Sequence, residues 1–391
     1  MMVKKTCLFM VRPHKRYPNA ISTIARYFMA VSASDRLLDV ADELQRHPDV
    51  PVLGVLDEHQ RFCGVLERER LFTMIGKPFG RDVFQRSIVN ELVAEVPLFD
   101  SRTGIYEVAQ QLQAFTDTAR DIHYYGLVSH DGEFEGIFSN IDLHEFLSRM
   151  TQEDIELAGR LQARLLDQNM IERPDCVVQG WSRPAKGVGG DFYYVQELRN
   201  GNVFATLCDV SGKGVAASLV VSLLWGMLRA YEYRRGLREL LIDLNTAIVN
   251  TFHLEKYLTG FFCLYEPQKK FLIYADMGHS HSILLRNNHI VRVKSKHTNL
   301  PIGVDISITP HLSGILLKEG DTLYVYTDGI TEQENSEGTE FGEDRLFRSL
   351  LGARREQKSV CEVVSRAVDQ FRGTVPQQDD MSLLYFEYKG I

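Results

Sequence analysis

Four aspartates in the second half of this 391-residue chain sit where an apolar run meets glycine or a turn. Asp191 follows Gly187-Val188-Gly189-Gly190, and Asp209 ends the run Phe204 to Cys208 ahead of Val210-Ser211-Gly212-Lys213-Gly214. Asp328 follows Leu323 to Thr327 and precedes Gly329; Asp379, with Asp380 beside it, stands just before Met381-Ser382-Leu383. Strand ends are rigid and glycine lets backbone approach a ligand closely, so this arrangement can aim several carboxylates at one point. Converging carboxylates without Cys or His partners repel one another unless cations neutralise them, and an all-oxygen set suits Mg²⁺ or Mn²⁺. The predicted chemistry is two-metal hydrolysis. Any single Asp-Gly would be an ordinary turn; the set carries the argument.

Short strands with a few helices must position these residues. Val203 to Val210 reads as a strand and Ala216 to Tyr233 as a long apolar helix. Phe261–Tyr265 with Phe271–Ala275, and Ser282–Leu285 with Ile290–Val293, read as hairpins; Thr322–Thr327 and Ser382–Tyr388 are further strands. The fold class this predicts is α+β, a sandwich of sheets with helices outside.

The first half has a different texture. Leu37, Val40, Ala41 and Leu44 recur at helical spacing, followed by a strand Val50–Leu56, a turn, a strand Phe62–Leu66 and an amphipathic stretch to Ile75. The same order returns with Ile105, Val108, Ala109 and Leu112, then Tyr124–Val128, His130-Asp131-Gly132-Glu133, Phe134–Phe138 and Leu143–Met150. This predicts an internal repeat. The expected organisation is a domain over 1–150 (repeats about 25–78 and 79–150), a linker helix within 151–174, and a second domain over 175–391. In the linker, Ile155, Ala158, Leu161 and Leu165 form one apolar stripe, which fits either a connector packed on its own domain or a signalling or dimer helix.

Bulk properties exclude several classes. A formal net charge of −8 speaks against a general nucleic-acid binder. Six scattered cysteines show neither metal-ligand spacing nor a disulfide framework, which fits a reducing cytoplasm. No apolar run is long enough to cross a membrane, and the basic start Met1 to Met10 is cut short by Arg12, His14, Lys15 and Arg16, so neither a signal peptide nor an anchor is expected.

Seven ordered segments carry a family resemblance: Gly189-Gly190-Asp191-Phe192-Tyr193, Asp209-Val210-Ser211-Gly212-Lys213-Gly214, Met277-Gly278-His279, Leu300-Pro301-Ile302-Gly303, Thr327-Asp328-Gly329-Ile330-Thr331-Glu332, Phe341-Gly342 and Asp379-Asp380-Met381-Ser382. From about Ala158 to Phe386 the chain resembles the PPM family, protein phosphatases of type 2C, in its bacterial SpoIIE/RsbU-type subgroup. The resemblance implies two packed antiparallel sheets flanked by helices. It also implies that Asp191 and Asp209 hold a pair of Mn²⁺ or Mg²⁺ ions, that the Val210 carbonyl binds one, and that Asp328 and Asp379 complete the other. Of Asp379 and Asp380, alternation along a strand lets only one point inward; Asp379 is favoured, because the family often has Asn at the next position. The implied reaction is attack by metal-activated water on phosphoserine or phosphothreonine of a small anti-anti-sigma (STAS-domain) protein. His279 is a general acid or, as in the family, packs a turn. Cys208 and Cys263 are expected in the core.

Tyr194 replaces the family's usual second acidic residue, and the phosphate-gripping arginine of eukaryotic members is missing; Arg183, Lys186 and Lys213 either substitute or are solvated. The first half resembles a tandem CBS pair, which implies an adenine nucleotide, dimerisation or both. Ser139 and Asp142, in Gly136-Ile137-Phe138-Ser139-Asn140-Ile141-Asp142, would meet its phosphate and ribose; the other reading is a helix N-cap pair. The first repeat lacks both polar positions, so one nucleotide site is expected. The rivals are a catalytically weak phosphatase-like scaffold and a diguanylate cyclase, the latter leaving the Asp328 and Asp379 motifs unexplained.

Overall fold

A computed structural model describes residues 7–12, 17–113, 123–166, 170–293, 297–356 and 358–390. The chain divides into two compact units, Met1–Gln152 and Glu153–Ile391.

The first unit is built twice over. In each half a short strand runs parallel to the next after an intervening helix, and a hairpin follows: Met29–Ser32, Leu37–Leu44, Val52–Leu56 and Phe62–Glu67, then Leu98–Asp100, Ile105–Gln113, Tyr124–Val128 and Phe134–Ser139. Both hairpins shift register at the equivalent place, after Val55 and after Leu127. The halves lock by exchange: Tyr27 bridges to Ile137 of the second hairpin, and Ala94 bridges to Val65 of the first. The rings of Phe62 and Phe134 stack at 5.1 Å, each over a glycine of the opposite half, Gly126 and Gly54, where a Cβ would collide. The repeat read from the sequence is therefore present as a repeat of topology.

The boundary expected after Met150 falls at Gln152–Glu153, but no helix ends there. One helix runs Asn140–Leu165, because no proline interrupts its run of helix-forming residues and Gly159 alone does not end it. Its inner stripe also differs from the expected one. Leu161 is 52% exposed, while Gln162 is buried; an amide can face inward here because backbone partners await it.

In the second unit two antiparallel sheets face each other. One holds Asp191–Glu197, Val203–Val210, Leu258–Glu266, Phe271–Met277 and Ser313–Leu316; the other holds His289–Arg292, Ser282–Arg286, Thr322–Tyr326, Met381–Tyr388, Cys176–Arg183 and Met170–Glu172. Alternation along each strand sorts its side chains between two cores. From Val203–Val210, Val203, Ala205 and Leu207 fill the gap between the sheets, whereas Phe204, Cys208 and Val210 pack on the helices Val215–Ala230 and Leu237–Phe252. The outer face of the second sheet, with Tyr324, Tyr326, Leu383 and Tyr385, is covered by Gly342–Glu356 and Val360–Arg372. The result is a helix–sheet–sheet–helix sandwich, as predicted for this half.

Candidate active site

The alternation that fills the central core also delivers the aspartates. Asp191 and Asp209 have the same parity as Tyr193, Val195, Ala205 and Leu207, so both lie on the inter-sheet side, and strand register places them directly opposite each other. The second sheet contributes from the same side: Thr327 continues the parity of Leu323 and Val325, and Ser382 that of Leu384 and Phe386. Asp328 starts a short helix, Asp328–Thr331, and Asp379-Asp380 lead into Met381–Tyr388.

Glycines allow this crowding. A Cβ on Gly190 would press on the carbonyl oxygens of Val210 and Gly212, at 2.9 and 3.2 Å. One on Gly329 would collide with the Asp380 carbonyl. Gly212, at φ 85°, adopts a conformation that side-chain-bearing residues disfavour.

Electrostatics mark the cluster as short of positive charge. Burial, then the facing Asp209, pushes the Asp191 carboxyl well above the usual carboxylate range. Asp209 is raised to about 7 by burial and by the charges of Asp328, Asp379 and Asp380, with Lys213 pulling the other way. Three of the carboxylates are nonetheless held internally. Asp191 Oδ2 accepts from Thr327 Oγ1 at 2.8 Å. Asp379 Oδ2 pairs with Lys213 Nζ at 2.8 Å, and its Oδ1 accepts from the Asp380 amide. Asp380 grips the glycine loop, accepting from Gly190 N at 2.6 Å and Ala185 N at 2.8 Å. Among the described residues, no three His, Cys, Asp or Glu side chains stand close enough to share an ion as placed.

The expectation for the Asp379-Asp380 pair is corrected in one respect. Asp380 is the inward member, 6% exposed, because it shares the parity of Ser382 and meets two unpaired amides of the loop. Asp379 lies in the turn before the strand and faces Lys213. Neither Lys213 nor Arg183 is simply solvated: Arg183 Nη1 binds Asp369 at 2.9 and 3.0 Å, and Lys213 is held by Asp379 and the Gln378 carbonyl.

His279 packs a turn. Its Nε2 lies 2.9 Å from the Tyr326 carbonyl, which can only accept, so Nε2 carries the proton; Nδ1 lies 3.3 Å from the Thr259 hydroxyl. Burial lowers its pKa to about 3, which leaves it neutral. Cys208 and Cys263 are buried, and burial pushes both thiols up to about 12.

Sequence reasoning gave no role to two residues. Gln162 clamps the glycine loop through both ends of its amide, Nε2 to Gly189 O at 2.8 Å and Gly189 N to Oε1 at 3.0 Å. Thr327 lies in the Thr327-Asp328-Gly329 segment, and parity counted forward from Val325 places it inward. In the first unit, Ser139 and Asp142 do form a cap: Asp142 Oδ2 accepts from Ser139 N and Oγ at 2.8 and 2.6 Å, and Ser139 Oγ accepts from Asp142 N. Asp142 Oδ1 also pairs with Arg26 Nε at 3.0 Å.

This sandwich, with carboxylates at the end of the inter-sheet gap, is a PP2C-type phosphatase fold. Residues 199–389 match the family described as Stage II sporulation protein E (SpoIIE). The chain is 26% identical over 202 residues to phosphoserine phosphatase RsbU of Bacillus subtilis, spanning 50% of this chain and 59% of the relative. It is 23% identical over 260 residues to protein IcfG of Synechocystis sp., spanning 59% and 41%. The chain thus spans less than two thirds of either relative. The SiaA-PP2C domain of Pseudomonas aeruginosa shares the fold, with a TM-score of 0.54 at 20% identity over 62% of this chain and 98% of that one. No helix among the described residues is long and apolar enough to cross a membrane.

Proposed function

We propose that the second unit is a metal-dependent protein serine/threonine phosphatase, with Asp191, Asp209, the Val210 carbonyl, Asp328 and Asp379 as ligands to two Mn²⁺ or Mg²⁺ ions. The observation that carries this reading is the facing Asp191–Asp209 pair, raised in pKa and electrostatically coupled to Asp328 and Asp379. A hard-oxygen donor set with surplus negative charge fits such ions. Bound there, the ions supply an activated water and offset charge on the phosphoryl group.

The chain's own residues do the rest. Asp380 and Gln162 hold the glycine loop that aims Asp191, and Gly190 leaves room for the Val210 and Gly212 carbonyls. Lys213 pairs with Asp379 at 2.8 Å and would be free to bind a phosphate if an ion took that carboxylate. The thiols of Cys208 and Cys263 and the imidazole of His279 are buried, which agrees with direct attack by water. The test is hydrolysis of p-nitrophenyl phosphate by the full chain in Mn²⁺, with a chelator control and Asp328→Asn alongside. Activity lost in both controls supports the reading. Mn²⁺-dependent activity that survives in Asp328→Asn overturns the ligand assignment.

For the substrate we propose phosphoserine or phosphothreonine on an anti-anti-sigma, STAS-type protein. The support is the motif resemblance, together with a curated relative that is itself called a phosphoserine phosphatase. For the first unit, its doubled topology supports a CBS-like sensor, with adenine nucleotide as the proposed ligand beside Ser139 and Asp142. Leu157 and Leu161, 49% and 52% exposed on one helix face, support a homodimer or coupling role for that helix. Leu161→Asp that changes neither activity nor oligomeric state would remove that role. The pairing of Asp379 with Lys213 and of Asp191 with Thr327 favours one second reading, a catalytically weak scaffold, which the same phosphatase assay separates.

A further inference from the structure

We infer that Thr327 is a positioning residue that registers the metal-binding carboxylates of one sheet against those of the other; the inference rests on the two-metal reading above. Thr327 is 1% exposed and occupies the N-cap position of the helix Asp328–Thr331, with extended backbone at φ −93° and ψ 156°. A threonine there ordinarily caps its own helix by accepting from an early amide. This one makes no such bond. Its hydroxyl spans the two sheets, accepting from Ser382 N at 2.8 Å and donating to Asp191 Oδ2 at 2.8 Å.

The direction of the second bond is fixed by chemistry. Ser382 N can only donate, so it takes a lone pair of Oγ1, and the hydroxyl proton points to an acceptor. The two acceptors in reach are Asp191 Oδ2 at 2.8 Å and the Asp380 carbonyl at a poor 3.5 Å. Asp191 opens the first strand of the five-stranded sheet, whereas Thr327 and Ser382 belong to strand ends of the six-stranded sheet. Asp328 is the residue next to Thr327. The Ser382 side chain also bonds Asp191, and the Thr327 hydroxyl, adjacent to Asp328, sets where Asp191 and, through the strand register, Asp209 stand relative to Asp328. Threonine suits the task because its branched Cβ restricts rotation about χ1.

The experiment titrates Mn²⁺ into the full-length protein and reads unbound ion by electron paramagnetic resonance, with no substrate present. Thr327→Ser keeps the hydroxyl and binds within about twofold of wild type; Thr327→Val keeps the shape and weakens binding by roughly 10–100-fold, the usual cost of losing an outer partner of a ligand. Thr327→Ala repeats the comparison should the valine protein not fold, and melting curves confirm that each variant is folded. Valine or alanine variants that are folded and bind Mn²⁺ like wild type overturn the inference and leave the phosphatase reading intact. A wild-type protein that binds no Mn²⁺ at millimolar ion overturns the two-metal reading itself, and this inference with it.

Discussion

Asp142 in the first unit and Asp191 in the second are almost equally buried, at 3% and 4% exposure, yet their surroundings differ in kind. Asp142 is satisfied by its own chain: an amide and a hydroxyl from Ser139, and a guanidinium from Arg26. Asp191 has neutral hydroxyl partners, Thr327 and Ser382, and, across the strand pair, another carboxylate. A buried charge needs pairing or it neutralises. The first site closes a structure, whereas the second is short of a cation, so burial alone says little about function until the partners are counted.

The sharpest way to break this contrast is to remove a carboxylate from the second site and ask whether chemistry is lost. Asp209→Asn or Asp328→Asn lowers Mn²⁺-dependent phosphatase activity by about 10²-fold or more, since the two-metal proposal makes each a ligand of the ion that activates water. Activity within a few-fold of wild type would mean that these carboxylates are not needed for the chemistry.

Stability in chelator sharpens the contrast, because the two sites carry opposite signs. Asp142→Asn breaks charged hydrogen bonds and costs roughly 1–2 kcal/mol, with the contribution of Arg26 discounted because that side chain is 55% exposed. Asp191→Asn removes one of two facing like charges and raises stability by about 1 kcal/mol. Melting curves of both variants in chelator check the two signs.

The pH dependence follows from the same surplus of charge. Asp209, raised to about 7 when folded, titrates near 3.9 when unfolded. The folded state therefore holds the extra proton across that window, and stability in chelator falls as pH rises from about 4 to about 7. That difference of about three pH units corresponds to a decline on the order of 4 kcal/mol, a loss of roughly ten degrees in Tm. On the two-metal proposal, Mn²⁺ at pH 7.5 restores it, the ion taking the place of the proton. A Tm that rises with pH in chelator would show that the cluster is already neutralised by the chain.

The sandwich and the aspartates were legible in the sequence because period-two strands and glycine-flanked carboxylates leave local marks. Parity alone could have assigned Thr327 inward, since it follows Val325 by two. What stayed hidden depends on distant partners. Gln162 faces inward only because Gly189 offers a free amide and carbonyl, so the apolar stripe pointed to Leu161 instead. The inward turn of Asp380 needed the amides of Ala185 and Gly190, nearly two hundred residues away in sequence. The continuous helix through Met150 was hidden for the opposite reason: nothing local ends it.

The smallest expected effect tests whether the first unit's cap is local. In Ser139→Ala, Asp142 loses the hydroxyl that it accepts from, and the Asp142 amide loses its acceptor; the Ser139 amide and Arg26 remain. The cost is about 1 kcal/mol, the ordinary value of an N-cap, read as a lower denaturation midpoint. Because Asp142 keeps a cation, no charge is stranded, and Mn²⁺ binding by the same protein stays at the wild-type value. A Ser139→Ala protein that lost Mn²⁺ affinity would mean that this cap is felt at the carboxylate cluster. The contrast between a self-sufficient buried aspartate and a cation-seeking one would then have to be replaced by a coupling between them.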